Sequence, residues 1–402
     1  MKIVQINAVY GFSSTGRNVA EMHGYFQQHG IESFVFTSDK EDQDEHIYRI
    51  GDKWDHKRHA LFSRIWGLQG YFSKSATCKM IRHIKQISPD VVILHNLHAN
   101  YIHLPLLLDF LAKNDIATLL VLHDFWFITG HCCHYTSIGC DKWKSECNHC
   151  QLLHTYNKSM FFDRSRKIHK DKKRLFLSIP QLGVIGVSKW VLNEVQQSFL
   201  KGAKLQDYIY NWIDLSIFHP LPTTSLRKEF GLSSSDYVVL GVAQRWSQAK
   251  GLNQFMEIAC RMPDVKVVLV GRFPTDVSIP SNLLSAGEVN TPQKLAEYYS
   301  IADVFVNPSV QETFGKVTAE ALACGTPVVG SNTTATPELI PAQCGFTFSP
   351  QDMDDLLKKV ALVREKGKQT YTEHCQRFAA ENFDKDWQIA KYIQCSYQLL
   401  SR

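Results

Sequence analysis

The sequence lacks any apolar run approaching the about 20 residues with which a helix crosses a bilayer. It also lacks low-complexity stretches and repeats of solenoid period, which excludes fibrous and repeat architectures. With 44% hydrophobic and 21% charged residues, the 402-residue chain is not of the disordered class, and its length favours two domains. Because Met1 to Asn7 are typical of a first strand and not of a signal peptide, we expect a cytoplasmic protein.

Disulfide bonds are not expected in that reducing compartment, although the chain has eleven cysteines. Four of them follow the spacing C-x7-C-x6-C-x2-C in a cysteine-rich insertion at residues 130–151, and four thiols can make a tetrahedral structural zinc site. The predicted ligands are Cys132, Cys140, Cys147 and Cys150, with Cys133, His131, His134 and His149 as substitutes. Unliganded thiols and a disulfide-prone insertion are the alternatives.

Positive charge is concentrated in the first part of the chain. Residues 1–217 hold 26 Lys and Arg against 20 Asp and Glu, a net of +6, and the remaining residues hold 18 against 19, a net of −1. Seven cations lie within the eleven residues from Arg164 to Arg174. Such a run is usually a solvated helix face, but it also fits attraction to anionic lipid headgroups. Nucleic-acid binding is not expected, because no basic motif interleaved with aromatic residues accompanies the run.

Short β-branched runs alternate with amphipathic patterns in two series, which predicts parallel βαβ units. The predicted strands are Ile3–Ile6, Ser33–Thr37, Val91–Leu94, Thr118–Leu122, Gly183–Val187, Tyr237–Val242, Val265–Val270, Asp303–Val306 and Pro327–Gly330. The predicted helices are Arg17–His29, Ala76–Ile87, Leu252–Cys260, Gln293–Ser300 and Lys316–Ala323. A connector with two prolines, residues 211–222, separates the series. The predicted domains are residues 1–215 and 216–385, followed by a C-terminal helix at 386–402 that packs back toward the first domain.

The segment from Asn307 to Val329 places two carboxylates around a glycine between a strand and a helix. The loop lies at the C-terminal edge of a parallel sheet, where open α/β folds bind ligands. Gly315 allows close approach of the backbone, and the helix after it offers N–H groups to a phosphate. Glu312 lies in the loop and Glu320 lies inside the helix, so one can reach a sugar while the other reaches a ribose. The simpler alternative makes Glu320 a solvated helix residue and Glu312 a carboxylate favoured by the helix dipole.

Cations and glycines follow other strands of both series. Arg245 and Lys250 lie in a loop after a strand and could converge on a diphosphate, although such a pair is more often surface charge. In the first series, the loop containing Gly16 and Arg17 joins the first strand to the first helix and is not a Walker A loop. That loop fits a weak phosphate site or ordinary N-capping. His123 follows a strand, where a histidine commonly satisfies a buried carbonyl.

The string around Glu312 and Glu320 resembles the E-x7-E signature of family 4 glycosyltransferases, and the resemblance runs through nearly the whole chain. Asn211-Trp212-Ile213-Asp214 resembles the family's domain crossing, with Trp212 in place of a glycine, and Tyr298–Val306 is similar to its helix-to-strand passage. The cysteine-rich insertion resembles the loop of members that build colanic acid and capsular polysaccharide. The resemblance implies the α/β GT-B fold, with two Rossmann-like doubly wound domains facing a central cleft.

The resemblance also implies a set of site residues. His123 contacts the transferred sugar, His95 and His98 belong to the acceptor edge, and Glu312, Arg245 and Lys250 complete the catalytic set. The implied substrate-binding residues are Gly16, Arg17, Gly271, Phe314, Gly315, Lys316 and Glu320. Arg245 and Lys250 bind the diphosphate, so no divalent metal or other cofactor is expected at the reaction centre, apart from the structural zinc.

The implied reaction is a retaining, front-face transfer of a sugar from a nucleotide diphosphate donor. The expected acceptor is a growing glycan, linked to polyprenyl diphosphate, in capsule, exopolysaccharide or O-antigen synthesis. The basic N-terminal domain is expected to lie on the inner membrane surface, as a peripheral protein. A sugar-nucleotide epimerase of the same fold and a non-catalytic zinc-containing binding protein are the alternatives.

Overall fold

The chain divides into two compact units. A computed structural model describes residues 1–39, 44–274, 277–289 and 291–401. The first unit comprises Met1–Ile209 and the residues from Ile389 onward, and the second comprises Tyr210–Gln388. The connector predicted between the domains therefore begins the second unit, and most of the C-terminal helix belongs to the first. Within the predicted domains and helix, residues 40–43, 275, 276, 290 and 402 lie outside the described residues.

The first unit is built on a parallel sheet in the order β3-β2-β1-β4-β5-β6-β7. The strands are β1 (Lys2–Ile6), β2 (Glu32–Thr37), β3 (Ile47–Arg49), β4 (Val91–Leu94), β5 (Ala117–Leu122), β6 (Leu182–Gly186) and β7 (Leu205–Tyr208). The helices are α1 (Ser13–Gln28), α2 (Lys53–Trp66), α3 (Lys74–Ile87), α4 (Leu104–Lys113), α5 (Ser165–Phe176) and α6 (Lys189–Gln197). Every residue of β4, β5 and β6 is buried, as expected of parallel strands covered on both faces.

The second unit repeats this plan with a parallel sheet in the order β10-β9-β8-β11-β12-β13. The strands are β8 (Tyr237–Arg245), β9 (Val265–Arg272), β10 (Leu283–Gly287), β11 (Val304–Asn307), β12 (Val328–Ser331) and β13 (Gly345–Phe348). The helices are α7 (Thr224–Glu229), α8 (Leu252–Arg261), α9 (Pro292–Ile301), α10 (Lys316–Ala323), α11 (Met353–Lys366) and α12 (Gln369–Phe383). The last helix, α13 (Lys385–Leu400), leaves this unit and ends in the first.

The two parallel α/β units that the βα rhythm predicted are confirmed. The nine predicted strands are present, and the strands that the pattern missed, β3, β7, β10 and β13, are the edge strands of the two sheets. Helix α1 begins at Ser13 and not at the predicted Arg17, so Gly16 lies inside the helix. Trp212 is 1% exposed, which places the residue that replaces the family's glycine in the core of the second unit. None of the described helices is both long enough and apolar enough to span a membrane.

Candidate active site

In the first unit, the chain reverses its direction of sheet growth between β1 and β4. The loops after these two strands diverge at the carboxyl edge, which is where open α/β sheets bind ligands. The buried Asn7 after β1 accepts a hydrogen bond of 3.1 Å at Oδ1 from the main-chain N–H of Asn96 after β4. This hydrogen bond joins the two loops at the switch point.

The loop after β1 leads directly into the N-terminus of α1. A Cβ on Gly16 would lie 3.0 Å from Cγ2 of Val9, so glycine allows the first turn to pack on this loop. The N-cap residue is Phe12, no side chain caps the helix, and its first turn has no acidic residue. The N-capping alternative is therefore wrong for this loop. Arg17, the fifth residue of the helix, is exposed near its start, where it could meet an anion, whereas Gly16 is buried.

A chain of hydrogen bonds assigns the ring protons of His123. Gln5 donates its amide Nε2 to the carbonyl of Val19 at 3.5 Å, which turns Oε1 toward His95, whose Nε2 lies at 3.3 Å. His95 therefore donates from Nε2 and accepts at Nδ1 from Nε2–H of His123, 3.0 Å away. Burial, together with the neighbouring His123, lowers the pKa of His95 well below its ordinary value, which keeps this ring neutral. The neutral tautomer of His123 thus carries its proton on Nε2.

The residue after His123 forms a half-buried ion pair with His98. Oδ2 of Asp124 lies 2.7 Å from Nε2 of His98, and its Oδ1 accepts from the main-chain N–H of Trp126. Burial opposes charge on both groups, but their attraction raises the pKa of His98 well above its ordinary value and lowers that of Asp124 to about 2. This pair joins the ends of β4 and β5 beside His123. His98, Asp124 and Cys133 are also a group whose donor atoms all lie within 4.8 Å of one another in the described residues.

In the second unit, the corresponding switch point lies between β8 and β11. Arg245 ends β8 and is exposed, next to Arg272 across the ladder to β9. Lys250 follows in the same loop, and its Nζ lies 3.0 Å from Oε1 of Glu312, which follows β11. The structure therefore brings Lys250 and Glu312 together at the switch point. Their side chains are 45% and 17% exposed, so the pair faces a solvent-accessible edge.

Glycines shape the loops that carry these charges. Gly251 has φ of 81° and caps α8, and a Cβ there would overlap the ring of Pro308. The Lys250 loop therefore lies directly on the end of β11. Gly315 has φ of 93° before α10, while a Cβ there would make only ordinary contacts, so it is the conformation that requires glycine. Helix α10 has no side-chain cap and no acidic first turn, and Lys316 is its first residue.

The structure places three further predicted residues in the core of the second unit. Glu320 is 5% exposed and accepts a hydrogen bond of 2.9 Å at Oε2 from the hydroxyl of Tyr299, so the alternative of a solvated helix residue is wrong. The ring of Phe314 is 2% exposed and packs on Phe383, so only the main chain of this residue could contact a substrate. Gly271 has φ of 123°, and a Cβ there would overlap a carbonyl of β8. Gly271 is therefore required for the close approach of β8 and β9.

The cysteine-rich insertion encloses a small cavity. A cavity of about 30 Å³ is lined by the four predicted zinc ligands together with His131 and His149. The thiols of Cys132 and Cys150 are within hydrogen-bonding reach of each other. The main-chain N–H of Gly130 donates to Sγ of Cys147 at 3.3 Å, and that of Leu152 donates to Cys150. The predicted thiols thus surround one space. Their sulfur atoms are not as close together as the donor atoms of His98, Asp124 and Cys133, which all lie within 4.8 Å of one another.

The basic run from Arg164 to Arg174 forms most of α5. Four of its exposed cations form ion pairs: Arg166 and Lys170 with Glu146, and Lys167 and Arg174 with Asp171. Lys172 is fully buried and donates to the carbonyls of Trp126 and Thr129. The positive charge of the run is therefore partly neutralised by carboxylates and partly buried.

Sequence reasoning missed the residues that hold the site side chains in place. Gln5 is a polar residue within a buried strand, Tyr299 lies in a buried helix segment, and Asp124 follows His123 directly. A polar side chain inside an apolar run is the signal that could have identified Gln5, because buried polar groups need partners.

Known proteins resemble this chain in sequence and in fold. Residues 237–365 match the family model described as glycosyl transferases group 1. The N-acetyl-alpha-D-glucosaminyl L-malate synthase of Bacillus anthracis is 26% identical over 226 residues, which cover 52% of this chain and 59% of that protein. The chain thus spans less than two thirds of that relative. The putative colanic acid biosynthesis glycosyl transferase WcaC of Escherichia coli (strain K12) is 25% identical over 304 residues, which cover 73% of this chain and 72% of that protein.

Among solved structures, the sucrose-phosphate synthase from Thermosynechococcus elongatus has a TM-score of 0.71 at 17% identity. The superposition covers 100% of this chain and 99% of that protein, and at such low identity the likeness concerns the fold. The matched family model lies in the second unit, where it includes Lys250, Glu312, Gly315 and Glu320. The second unit is therefore similar to the group 1 glycosyl transferases, and the chain has the GT-B fold.

Proposed function

We propose that this protein is a retaining glycosyltransferase that moves a sugar from a nucleoside diphosphate donor to a glycan acceptor. The observation that carries the proposal is the switch point of the second unit, where Lys250 lies 3.0 Å from Glu312 beside the uncapped start of α10. Cations and the N-terminus of a helix suit a diphosphate, and a carboxylate suits sugar hydroxyls.

In the proposed reaction, the bond from the anomeric carbon to the diphosphate oxygen breaks, and a bond to the acceptor oxygen forms on the same face. The acceptor proton passes to the departing diphosphate. Stabilising that leaving group is the main task, and Arg245, Lys250 and the start of α10 supply positive potential without a divalent metal. Glu320, whose carboxylate also accepts from Tyr299, is the proposed partner of the ribose hydroxyls.

The first unit is proposed to hold the acceptor and the far side of the transferred sugar. His123 is oriented by His95 and Gln5, so its ring presents a defined tautomer to a sugar hydroxyl. The name of the colanic acid relative supports a polysaccharide product. We propose a lipid-linked glycan of the capsule, exopolysaccharide or O-antigen type as the acceptor, reached by a cytoplasmic enzyme at the inner membrane surface.

The test is a thermal-unfolding screen of nucleoside diphosphate sugars, followed by product analysis with the donor that stabilises the protein. A bound donor raises the unfolding midpoint by mass action. The anomeric configuration of the glycoside, read by NMR, should match that of the donor. A screen without any stabilising sugar nucleotide, or a product of inverted configuration, contradicts the proposal. Isomerised donor formed without an acceptor would identify an epimerase instead.

We also propose that Cys132, Cys140, Cys147 and Cys150 hold one structural zinc ion. The four thiols line one cavity, and main-chain N–H groups already point at the sulfurs of Cys147 and Cys150. Such N–H donors stabilise metal-bound thiolates. The insertion has little regular structure, with 3-10 turns at Thr136–Ile138 and Lys142–Lys144, so a metal would supply the fixation that secondary structure does not.

Charge favours this site over the group of His98, Asp124 and Cys133. Four thiolates around Zn²⁺ leave excess negative charge, and the buried Lys172 lies close enough to Cys132 and Cys147 to balance it. At the other group, His98 and Asp124 already satisfy each other, so a metal ion there would have to break their ion pair.

Metal analysis of protein purified without chelator should give about one zinc per chain. Cys150→Ser should lose most of the zinc, whereas Cys133→Ser should keep it. Loss of zinc from Cys133→Ser but not from Cys150→Ser would assign the metal to the group of His98, Asp124 and Cys133. Less than roughly a tenth of an equivalent in fresh, reduced wild-type protein would contradict zinc binding.

A further inference from the structure

An exposed apolar stripe runs along α2 in the first unit. Trp54 is 77% exposed, Leu61 is 56% exposed and Trp66 is 45% exposed. The buried residues of this helix, His59 and Ser63, lie opposite Trp54 and Leu61, and Trp66 lies on the side of His59 at the end of the helix. A helix of a globular protein usually buries its apolar stripe, so α2 has the reverse arrangement.

A neighbouring loop extends the stripe at its C-terminal end. Phe162 stacks on Trp66 with ring centroids 5.4 Å apart, and the main-chain N–H of Met160 donates to the carbonyl of Arg64 at 2.6 Å. Gly67 ends α2 with φ of 66°, and a Cβ there would overlap the carbonyl of Phe162. The loop therefore lies directly on the end of α2. We call the combined patch the aromatic surface, and its members are Trp54, Leu61, Phe62, Trp66, Met160, Phe161 and Phe162.

The aromatic surface is too large to be incidental. Its seven side chains are each between 38% and 77% exposed, which amounts to about four fully exposed large side chains. At roughly 200 Å² for each, the apolar area is on the order of 700 Å², above the 300–600 Å² of the largest patch on a typical monomer. A patch of this size marks an interaction site.

The charges around the aromatic surface are mainly positive. Helix α2 carries Lys53, Lys57, Arg58 and Arg64, all exposed, against a single carboxylate, Asp55. The cations flank the rings: Nζ of Lys57 lies 5.2 Å from the centroid of Trp54, and the guanidinium of Arg164 lies 5.2 Å from that of Phe162. The surface thus combines exposed aromatic rings with a basic rim.

We propose that the aromatic surface docks onto an anionic lipid bilayer. Trp, Phe and Leu on one face of a helix, with Lys and Arg beside them, are what an interfacial helix presents to headgroups and acyl chains. A two-fold contact with a second copy would bring this set of cations against itself. The surface differs from the basic helix α5, where four exposed cations are paired with Glu146 and Asp171, whereas the ion pair on α2 is that of Arg58 with Asp55.

The purpose of this docking rests on the proposed function, because a lipid-linked acceptor has to be reached at a membrane surface. Docking the first unit through α2 would hold the enzyme where such an acceptor is concentrated. Binding to vesicles requires neither donor nor acceptor, so its failure and the failure of the proposed transfer are separate results.

Flotation of the full chain with vesicles tests the proposal. Vesicles of phosphatidylcholine are compared with vesicles that contain phosphatidylglycerol, at low and high salt. The protein should float with the anionic vesicles, less so at high salt, and tryptophan fluorescence should shift to the blue as Trp54 and Trp66 enter the interface. No flotation with either vesicle would overturn the proposal.

Two sets of variants locate the contact. Replacing Trp54, Leu61 and Phe161 by Ser should lower binding to anionic vesicles at least about tenfold, because each removes apolar area from the contact. The matched control is Trp387→Ser, which changes a tryptophan that is 60% exposed elsewhere and should bind as the wild type does. Since all of these side chains are exposed, unchanged thermal midpoints will show that the variants fold.

The rival surface is tested with charge reversals. Lys57→Glu with Arg58→Glu should weaken binding to anionic vesicles more than Lys173→Glu with Arg174→Glu does. A larger loss from the α5 pair would overturn the assignment to α2. Binding of the triple serine variant equal to wild type would do the same, and so would a wild-type dimer in light scattering that the triple variant dissociates, because the surface would then be a contact between copies.

Discussion

Replacing Lys250 by alanine should reduce turnover far more than it reduces stability. The side chain is 45% exposed and forms an ion pair with Glu312 at 3.0 Å. Solvent screens such a pair, so its loss should cost less than about 1 kcal/mol in the free energy of unfolding. The loop itself is held by Gly251 against Pro308, and this contact does not involve the lysine side chain.

The expected effect on catalysis is larger because charge on the departing diphosphate grows in the transition state. Loss of one positioned donor to developing charge typically costs about 3–4 kcal/mol, or on the order of a hundredfold to a thousandfold in rate. Lys250→Ala should therefore lower kcat and kcat/KM together, because the interaction strengthens in the transition state.

The assay measures release of nucleoside diphosphate with the donor found in the thermal screen, together with urea unfolding of the same proteins. Arg261→Ala is the matched control: Arg261 is also 45% exposed and also paired, with Asp354 at 2.5 Å, but it lies at the end of α8. It should keep the rate of the wild type. A Lys250→Ala enzyme with the rate of Arg261→Ala would refute the diphosphate assignment, and a large loss of stability would refute the argument from exposure.

Three further predictions concern other parts of the two units. Glu320→Gln should weaken binding of nucleoside diphosphate alone in calorimetric titrations, whereas Glu312→Gln should leave it nearly intact; the opposite result would exchange their roles. Gly251→Ala should lower turnover although it removes no charge, because the loop carrying Lys250 must move away from the end of β11; full activity would show that the loop position is unimportant. Burial lowers the pKa of His59 to about 3, so the folded protein keeps this ring neutral while the unfolded chain takes up a proton below pH 6.5. The free energy of unfolding therefore decreases as the pH falls from 6.5 toward 3. Between pH 7 and pH 5, urea unfolding should show the wild type losing about 2 kcal/mol more than His59→Gln, and parallel curves would contradict this.

The sequence by itself determined the strands at the centre of each sheet and the loop around Glu312. Central parallel strands are buried on both faces, so they need continuous apolar runs, such as Val91–Leu94, that can be read directly. The edge strands β3, β7, β10 and β13 have incompletely buried positions and mixed composition, and only pairing with a neighbour makes them strands. The glycine before α10 was also readable, because φ of 93° is a local requirement on residue type.

Only the tertiary structure decided which side chains meet. The contact of Lys250 with Glu312 and that of His95 with His123 join loops that follow different strands. Strand order sets these contacts, and a local pattern does not encode strand order. Tertiary packing likewise gave the two basic segments different roles. Much of the charge of α5 is used in ion pairs and in the core, whereas α2, which no motif marked, is left with its rings in solvent. The physical reason is that periodicity tells which residues share a face of a helix, but the rest of the chain determines which face is covered.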